Sequence, residues 1–351
     1  MQGNWLIYGA TGYTGRLLAE TAKARGLTPI LGGRNRDKLE AVAKPLGLES
    51  RVFGLDDTAA AAKALEDVDV VLHAAGPFIV TSAPMIEACL RSKTHYLDIT
   101  GEIDVLENAY QQSARAREAG IVICSGVGFD VVPTDCLAAA LKEALPDAQR
   151  LILAFDAEGG LSPGTAKTSL DGFINGGRVR ENGRIIKVPL AHRQLRVDFG
   201  PRTRTAVTIP WGDVATAFHT TGIPDVETYT TMPPKNIAWI GRLRALAPVL
   251  GIGPIRRRLE DWIDANIKGP DQRVLAEAKT YLWGEVVNAA GDRREGRLTT
   301  ANGYALTRDS GLAMVQHLLE NEVEPRSYTP SQLMGKDYVT TLPGSSGFDI
   351  K

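Results

Sequence analysis

Short apolar runs alternate with helix-like runs from the start of the chain to about residue 130. The apolar runs are "WLIYG", "TPILGG", "SRVFGL", "VDVVLHAAG", "HYLDIT" and "GIVICSG". They are apolar almost throughout, as strands are when both faces of their sheet are covered. Between them lie "TGRLLAETAKARG", "RDKLEAVAKPLG", "TAAAAKALED", "SAPMIEACLRSK" and "VLENAYQQSARAREAG". Gly26 and Gly120 end two of these with the residue that suits a left-handed helix cap. This order predicts an α/β fold, an N-terminal Rossmann doubly wound parallel sheet over 1–133.

After "GVGFDVVPTD" the rhythm changes. A helix-like "DCLAAALKEALPDA" leads into "RLILAFDAEGG", then strand-like "RQLRVDF", "RTAVTIP" and "VETYTTMP". An arginine-studded helical stretch, the strand "TYLWGEVVNAAG" and a late helix "RDSGLAMVQHLLENE" follow. The expectation is a second, α+β domain over 134–351, with the late helix near 308–321 able to pack back on the first. The tail after Pro325 is rich in turn residues and is expected to wrap the surface.

Composition narrows the class. A chain of 351 residues fits two cores better than one. With 44% apolar and 23% charged residues and a formal net charge of −1, it reads as soluble and globular. That charge balance gives no reason to expect nucleic acid as a partner. Cys89, Cys124 and Cys136 are odd in number and lack metal-ligand spacing. Neither a disulfide framework nor a metal site is expected, and a reducing, cytoplasmic setting is. Met1 leads directly into a strand-like run, and no apolar stretch reaches a membrane span, so neither signal peptide nor span is expected.

The first candidate chemistry is "GATGYTG". Gly9, Gly12 and Gly15 stand between a strand and a helix, where missing side chains let a pyrophosphate reach the helix N-terminus. Thr11, Tyr13 and Thr14 can donate further hydrogen bonds or cover the phosphates. The end of the second strand reads "LGGRNRDKL", with Arg34 and then Asn35 where an NAD enzyme usually carries an acid. A guanidinium suits a 2′-phosphate, so the expected cofactor is NADP(H). Arg36 and Lys38 add to this field or are a solvated helix start. Asp56 either touches the adenine amine or caps a helix. "AAGPF" ends the fourth strand: Ala75 and Gly76 allow close backbone approach, and Pro77 with Phe78 shape a wall towards the nicotinamide or merely close the strand.

Short-chain dehydrogenases also use this glycine spacing, with a tyrosine base in Y-x-x-x-K. None of the nine tyrosines has Lys four residues later; the nearest is Tyr304 with Arg308, far outside the predicted Rossmann half. That mechanism is not expected. Catalytic candidates are instead carboxylates and donors at strand ends. Asp130 and Asp135 flank Pro133 after the sixth strand, as site groups or as a helix cap. Asp98, Thr100 and Glu102 end the fifth, reaching ribose or substrate or forming a satisfied network. Ser162, Gly164 and Thr165 offer donors to a substrate carbonyl, or simply start a helix. His219 is a possible proton source or a structural residue in strand-like surroundings, and His73 reads as core.

The series "YGATGYTGRL", "GGRNRDKL", "AAGPF", "HYLDITGE" and "GVGFDVVPTD" resembles the saccharopine dehydrogenase-like oxidoreductase family. The look is nearer to its trans-acting enoyl reductases than to its saccharopine reductases. "SPGTAKTSLDG", "WGDVATAFHTTGIPDVETY" and "YTPSQLMGKDYVTTLPG" extend the likeness along nearly the full chain. The resemblance implies a Rossmann domain, NADP(H), and a second domain that holds substrate and often builds a dimer. It also matches Asp130 to an aspartate of the saccharopine reductase motif.

Holding an amino-acid substrate would need cationic side chains, yet Arg178, Arg180 and Arg184 read as an exposed hairpin. Over 237–263, Trp239, Ile240, Leu243, Leu246 and Leu250 mix with Arg242, Arg244, Arg256, Arg257 and Arg258. Such a stretch meets a membrane surface or lipid carrier, a twin subunit in a homodimer, or its own domain. The expected activity is NADPH-dependent reduction of an activated C=C in an apolar or acyl small-molecule substrate. The alternatives are C=N or secondary-amine chemistry, or a non-catalytic NADP(H) sensor or lipid-associated scaffold.

Overall fold

The computed structural model describes residues 3–233, 235–237, 239, 247–250 and 252–351. The chain divides into two compact units, Met1–Val132 with Tyr304–Gly335, and Pro133–Gly303 with Lys336–Lys351. The second region expected as one block over 134–351 therefore gives up 304–335 to the first unit.

In the first unit the apolar runs become β1 (Trp5–Tyr8), β2 (Ile30–Gly33), β3 (Ser50–Val52), β4 (Val70–His73), β5 (His95–Asp98) and β6 (Ile123–Cys124). Helices α1 (Tyr13–Ala24), α2 (Arg36–Leu46), α3 (Thr58–Lys63), α4 (Phe78–Ser92), α5 (Ile103–Gln111) and α6 (Ser113–Ala119) connect them. The strands are all parallel in the order β3-β2-β1-β4-β5-β6, with the late strand Ser327–Tyr328 added beside β6. Strand order reverses between β1 and β4, the switch point at which doubly wound sheets bind ligands. Leu6 of β1 pairs with Ile30 and Val71, and the three are buried in one core with Met85, Tyr96 and Ile121. Gly26 (φ +76°) and Gly120 (φ +75°) take the left-handed conformation their sequence context called for.

The tail after Pro325 does more than wrap the surface. Beyond its strand it forms helices Pro330–Met334 and Tyr338–Thr341 and a last strand Asp349–Ile350, and it buries Tyr328, Leu333, Val339 and Leu342.

The second unit opens with α7 (Val132–Ala144) and β7 (Ala148–Ala157), then α8 (Pro163–Asn175) and the hairpin β8 (Gly177–Glu181) and β9 (Arg184–Val188). β10 (Gln194–Asp198), β11 (Thr203–Thr208), α9 (Asp213–Thr221), β12 (Asp225–Thr231), β13 (Lys279–Asn288) and β14 (Arg293–Ala301) complete it. The mixed sheet runs β10-β11-β12-β7-β13-β14 and ends on Asp349–Ile350. A Cβ on Gly284 or Gly296 would come within 3 Å of Leu141 or Leu137, so bare glycine lets α7 lie close on the sheet.

Two expectations fail in this unit. Arg180 of the hairpin is not exposed: it is buried, donates to the carbonyls of Val214 and Gly183 and lies over the Phe218 ring. His219 sits on helix α9 rather than in a strand.

Candidate functional site

The glycine turn is built by backbone contact. Gly9 has φ +90°, and a Cβ there would stand 2.7 Å from the Ala75 nitrogen at the end of β4. A Cβ on Gly15 would stand 2.2 Å from the Gly9 carbonyl oxygen, so the start of α1 packs straight onto the strand end. Gly12 differs: its nearest neighbour would be the Gly9 oxygen at 3.5 Å, and its other sides are open. Thr11 and Gly12 are exposed, Tyr13 and Thr14 half-buried. Gly12 is the N-cap of α1 and supplies no side-chain acceptor, which leaves the helix start suited to an anion. These residues fit a dinucleotide pyrophosphate: Gly12 leaves open, at a helix start, the space a Cβ would fill.

At the neighbouring strand end, Arg34 is exposed just after β2 and is in no ion pair among the described residues. Asn35 caps α2, its Oδ1 accepting from the Lys38 N–H (3.0 Å), so its side chain serves the helix. Arg36 turns to Glu40. The cap of α3 is Asp57, which accepts from the N–H groups of Ala59 and Ala60. Asp56 is thus spared that task and lines an open depression of about 560 Å³ with Val52, Phe53 and Gly54. The Tyr8 hydroxyl, which donates to the Phe53 carbonyl, is pushed up by burial, pulled down by Arg34 and pushed up again by Asp56. Arg34 and Asp56 therefore face one small region.

"AAGPF" ends β4 as a half-exposed turn with a cis Gly76–Pro77 bond, and Phe78 starts α4. Helix α4 has no side-chain cap of its own neighbourhood; Glu102 supplies it from after β5. The Phe78 and Ile79 N–H groups donate to Glu102 Oε1 (2.9 Å) and Oε2 (2.8 Å). The sequence offered Glu102 as a ribose or substrate contact or as part of a satisfied strand-end network, but not as this cap, because a cap from so far along the chain leaves no local pattern.

Asp98 is not an accessible catalytic carboxylate. It is buried, with Oδ2 accepting from the Tyr96 hydroxyl (2.8 Å) and the Ser125 hydroxyl (2.7 Å). Oδ1 accepts from the Thr100 N–H (3.0 Å) and the Gly126 N–H (2.9 Å). Burial pushes its carboxyl up, and these bonds pull it back. The neighbouring His73 Nδ1 lies 3.1 Å from the Tyr96 hydroxyl. His73 is buried and neutral, pushed down to about 3. The cluster ties together the ends of β4, β5 and β6.

Asp130 stands in the loop after β6 and is only partly covered. A Cβ on Gly101 would meet its carboxylate oxygen at 2.7 Å, so the glycine makes room for it. The same loop is pinned where the Phe129 N–H donates to Thr307 Oγ1 (2.9 Å). Burial, and after it the charge of Glu102, push the Asp130 carboxyl up to about 7. An acid in that range can give or take a proton near neutrality.

Tyr304 also corrects the sequence reading. It belongs to the first unit, at the start of the helix Gly303–Glu320, and its ring meets Tyr13 edge-on at 5.1 Å. Arg308 is paired with Asp309. In the second unit Thr165 is a helix start: its N–H donates to Ser162 Oγ (3.2 Å), and the two hydroxyls are 3.1 Å apart. Asp135, on the first turn of α7, accepts from the Thr220 hydroxyl. Of the 237–263 stretch, Ile240, Arg242, Leu243, Arg244 and Leu246 lie outside the described residues. In its helix Gly253–Asn266, Arg256 pairs with Asp171 and Glu260, and Trp262 is exposed. Among the described residues no helix is long and apolar enough to cross a membrane, and no acidic, His or Cys cluster could hold a metal.

Residues 5–124 match the family model of the saccharopine dehydrogenase NADP-binding domain. Over that stretch the chain is similar to the saccharopine dehydrogenase-like family. Its cofactor is NADP(H). A trans-acting enoyl reductase of Mycobacterium tuberculosis is 33% identical over 144 residues, 37% of this chain and 33% of that one. A saccharopine dehydrogenase-like oxidoreductase of Bos taurus is 31% identical over 150 residues, 37% of this chain and 35% of that one. The chain spans less than half the length of the curated relatives it matches. Among solved structures, apo saccharopine dehydrogenase (L-Glu forming) from Saccharomyces cerevisiae aligns with a TM-score of 0.67 at 14% identity, covering 99% of each chain. At that identity the saccharopine dehydrogenase-like likeness is one of fold.

Proposed function

We propose that this chain is an NADPH-dependent reductase of an activated, enoyl-type C=C bond in an apolar or acyl substrate. The observation that carries the reading is the position of Asp130, a half-buried carboxylate in the loop after β6 with room left for it by Gly101. The names of the mycobacterial relatives support the choice of C=C. In this reading the Gly9–Gly15 turn and the start of α1 bind the pyrophosphate, Arg34 grips the 2′-phosphate, and Ala75–Phe78 wall the nicotinamide.

Saturating a C=C bond adds a hydride and a proton, and NADPH supplies the hydride when bound. Asp130, protonated below about pH 7, supplies the proton to the carbon left negative. Gly101 leaves room for its carboxyl, and Glu102 keeps it protonated to higher pH.

The test is NADPH oxidation by the purified protein with panels of 2-enoyl thioesters and of cyclic imines. Enoyl turnover is expected, abolished in Asp130→Asn with NADPH binding intact. Imine turnover alone would select C=N chemistry. Turnover of neither, with tight NADPH binding, would select the sensor.

A further inference from the structure

Two features meet on the first turn of α4. Ile79 and Val80 are 57% and 66% exposed, adjacent β-branched residues where a helix gains nothing from them. They continue directly from Ala75–Phe78, and the Thr81 hydroxyl holds the turn by donating to the Ala75 carbonyl (2.6 Å). The donors of this helix start, the N–H groups of Phe78 and Ile79, are both taken by the Glu102 carboxylate. At the end of a parallel sheet such donors would otherwise suit an anionic ligand group. Here an incoming anion would meet a resident negative charge instead, and repulsion of that kind is how a site rejects the wrong ligand.

We infer that the turn Phe78–Val80 receives the hydrocarbon part of the substrate, and that Glu102 bars carboxylate-bearing groups from the same place. The inference rests on the reductase reading, which puts the nicotinamide beside this turn. Apolar contact with Ile79 and Val80 then makes affinity grow with chain length.

The experiment titrates saturated acyl-N-acetylcysteamine thioesters, from butanoyl to dodecanoyl, and adipate into the NADPH-loaded protein by calorimetry. In the wild type, affinity should rise with each added methylene, by up to roughly fourfold where it is fully buried, and adipate should not bind. Ile79→Ser/Val80→Ser should flatten the series while leaving NADPH affinity unchanged, and Glu102→Ala should gain adipate binding. No chain-length dependence in the wild type, an unflattened series in the double variant, or wild-type adipate binding as tight as that of the hexanoyl thioester would overturn the inference. Saturated thioesters cannot be reduced, so the two readings separate. A chain-length series without enoyl turnover removes the reductase alone; enoyl turnover with an unflattened series removes this inference alone.

Discussion

Helices α1 and α8 both start from turns of glycine and hydroxyl residues, and the resemblance ends there. At α8, Ser162 turns its hydroxyl onto the Thr165 N–H and satisfies the helix from within. At α1 the N-cap is Gly12, with no side chain to do the same. The glycines differ as well. Gly9 and Gly15 are demanded by backbone approaches of 2.7 and 2.2 Å, whereas a Cβ on Gly164 would meet nothing nearer than Ser162 Oγ at 3.8 Å. Helix α4 is a third case, capped from a distance by Glu102. A helix start suits a ligand when no side chain of its own chain caps it, and composition does not report that.

The steepest break in this comparison is Gly15→Ala. Its methyl would overlap the Gly9 carbonyl, so α1 must shift away from β1. NADPH affinity should fall roughly a hundredfold or more, an effect on the order of 3 kcal/mol, together with a lower Tm. Gly164→Ala is the matched control: with room for the methyl, it should leave NADPH binding unchanged and hold or slightly raise Tm. Equal effects of the two substitutions would erase the distinction between the turns.

Next in size is Arg34→Ala. If the exposed guanidinium grips the 2′-phosphate, NADPH affinity should drop roughly 10- to 100-fold, and NADH affinity should stay put. A parallel loss of both would make Arg34 a structural residue. The adjacent Asn35→Ala should lower Tm through its α2 cap without changing the NADPH-to-NADH ratio.

What could be read in advance follows from the range of the interactions. The strand order around β1 and the glycine turn rest on local alternation and on one strand-turn-helix unit, and both are visible in sequence. The return of the late helix was expected over 308–321, but not its full extent, 304–335 with Tyr304 against Tyr13, because nothing near Tyr304 encodes its partner. Asp98 and Asp130 looked alike as acids at strand ends. They part only when Tyr96, Ser125, Thr100 and Gly126 converge on the first, while Gly101 leaves room for the second and Glu102 adds a like charge. Arg180 read as exposed because hairpin arginines usually are; the carbonyls that bury it come from other elements.

A pH profile sharpens the contrast between the two acids. With the Asp130 carboxyl raised to about 7, its protonated form is the one favoured in the folded protein. Its stabilising contribution is full below the ordinary carboxylate range and is lost as pH rises through about 7. The Tm advantage of Asp130→Asn over wild type should therefore grow from about pH 5 to about pH 8. As a proton donor, Asp130 should hold kcat/KM level below about pH 7 and let it fall about tenfold per unit above. Glu102→Gln removes the like charge and should move that limb to lower pH. A limb unmoved in Glu102→Gln and retained in Asp130→Asn would assign the titration elsewhere.

The smallest effect is the most discriminating for the second unit. Ser162→Ala removes the acceptor that caps α8 and should cost about 1 kcal/mol of stability, read as a lower midpoint in urea. The same change leaves the Thr165 hydroxyl in place but takes away the oxygen 3.1 Å from it. If Ser162 and Thr165 do no more than start the helix, turnover measured well below the melting temperature should be unchanged, and Thr165→Val should match it. A loss of turnover in Thr165→Val that exceeds its loss of stability would return this turn to the substrate site. The rule drawn from α1 and α8 would then need amending, since a helix start satisfied by its own side chain could still serve a ligand through a neighbouring hydroxyl.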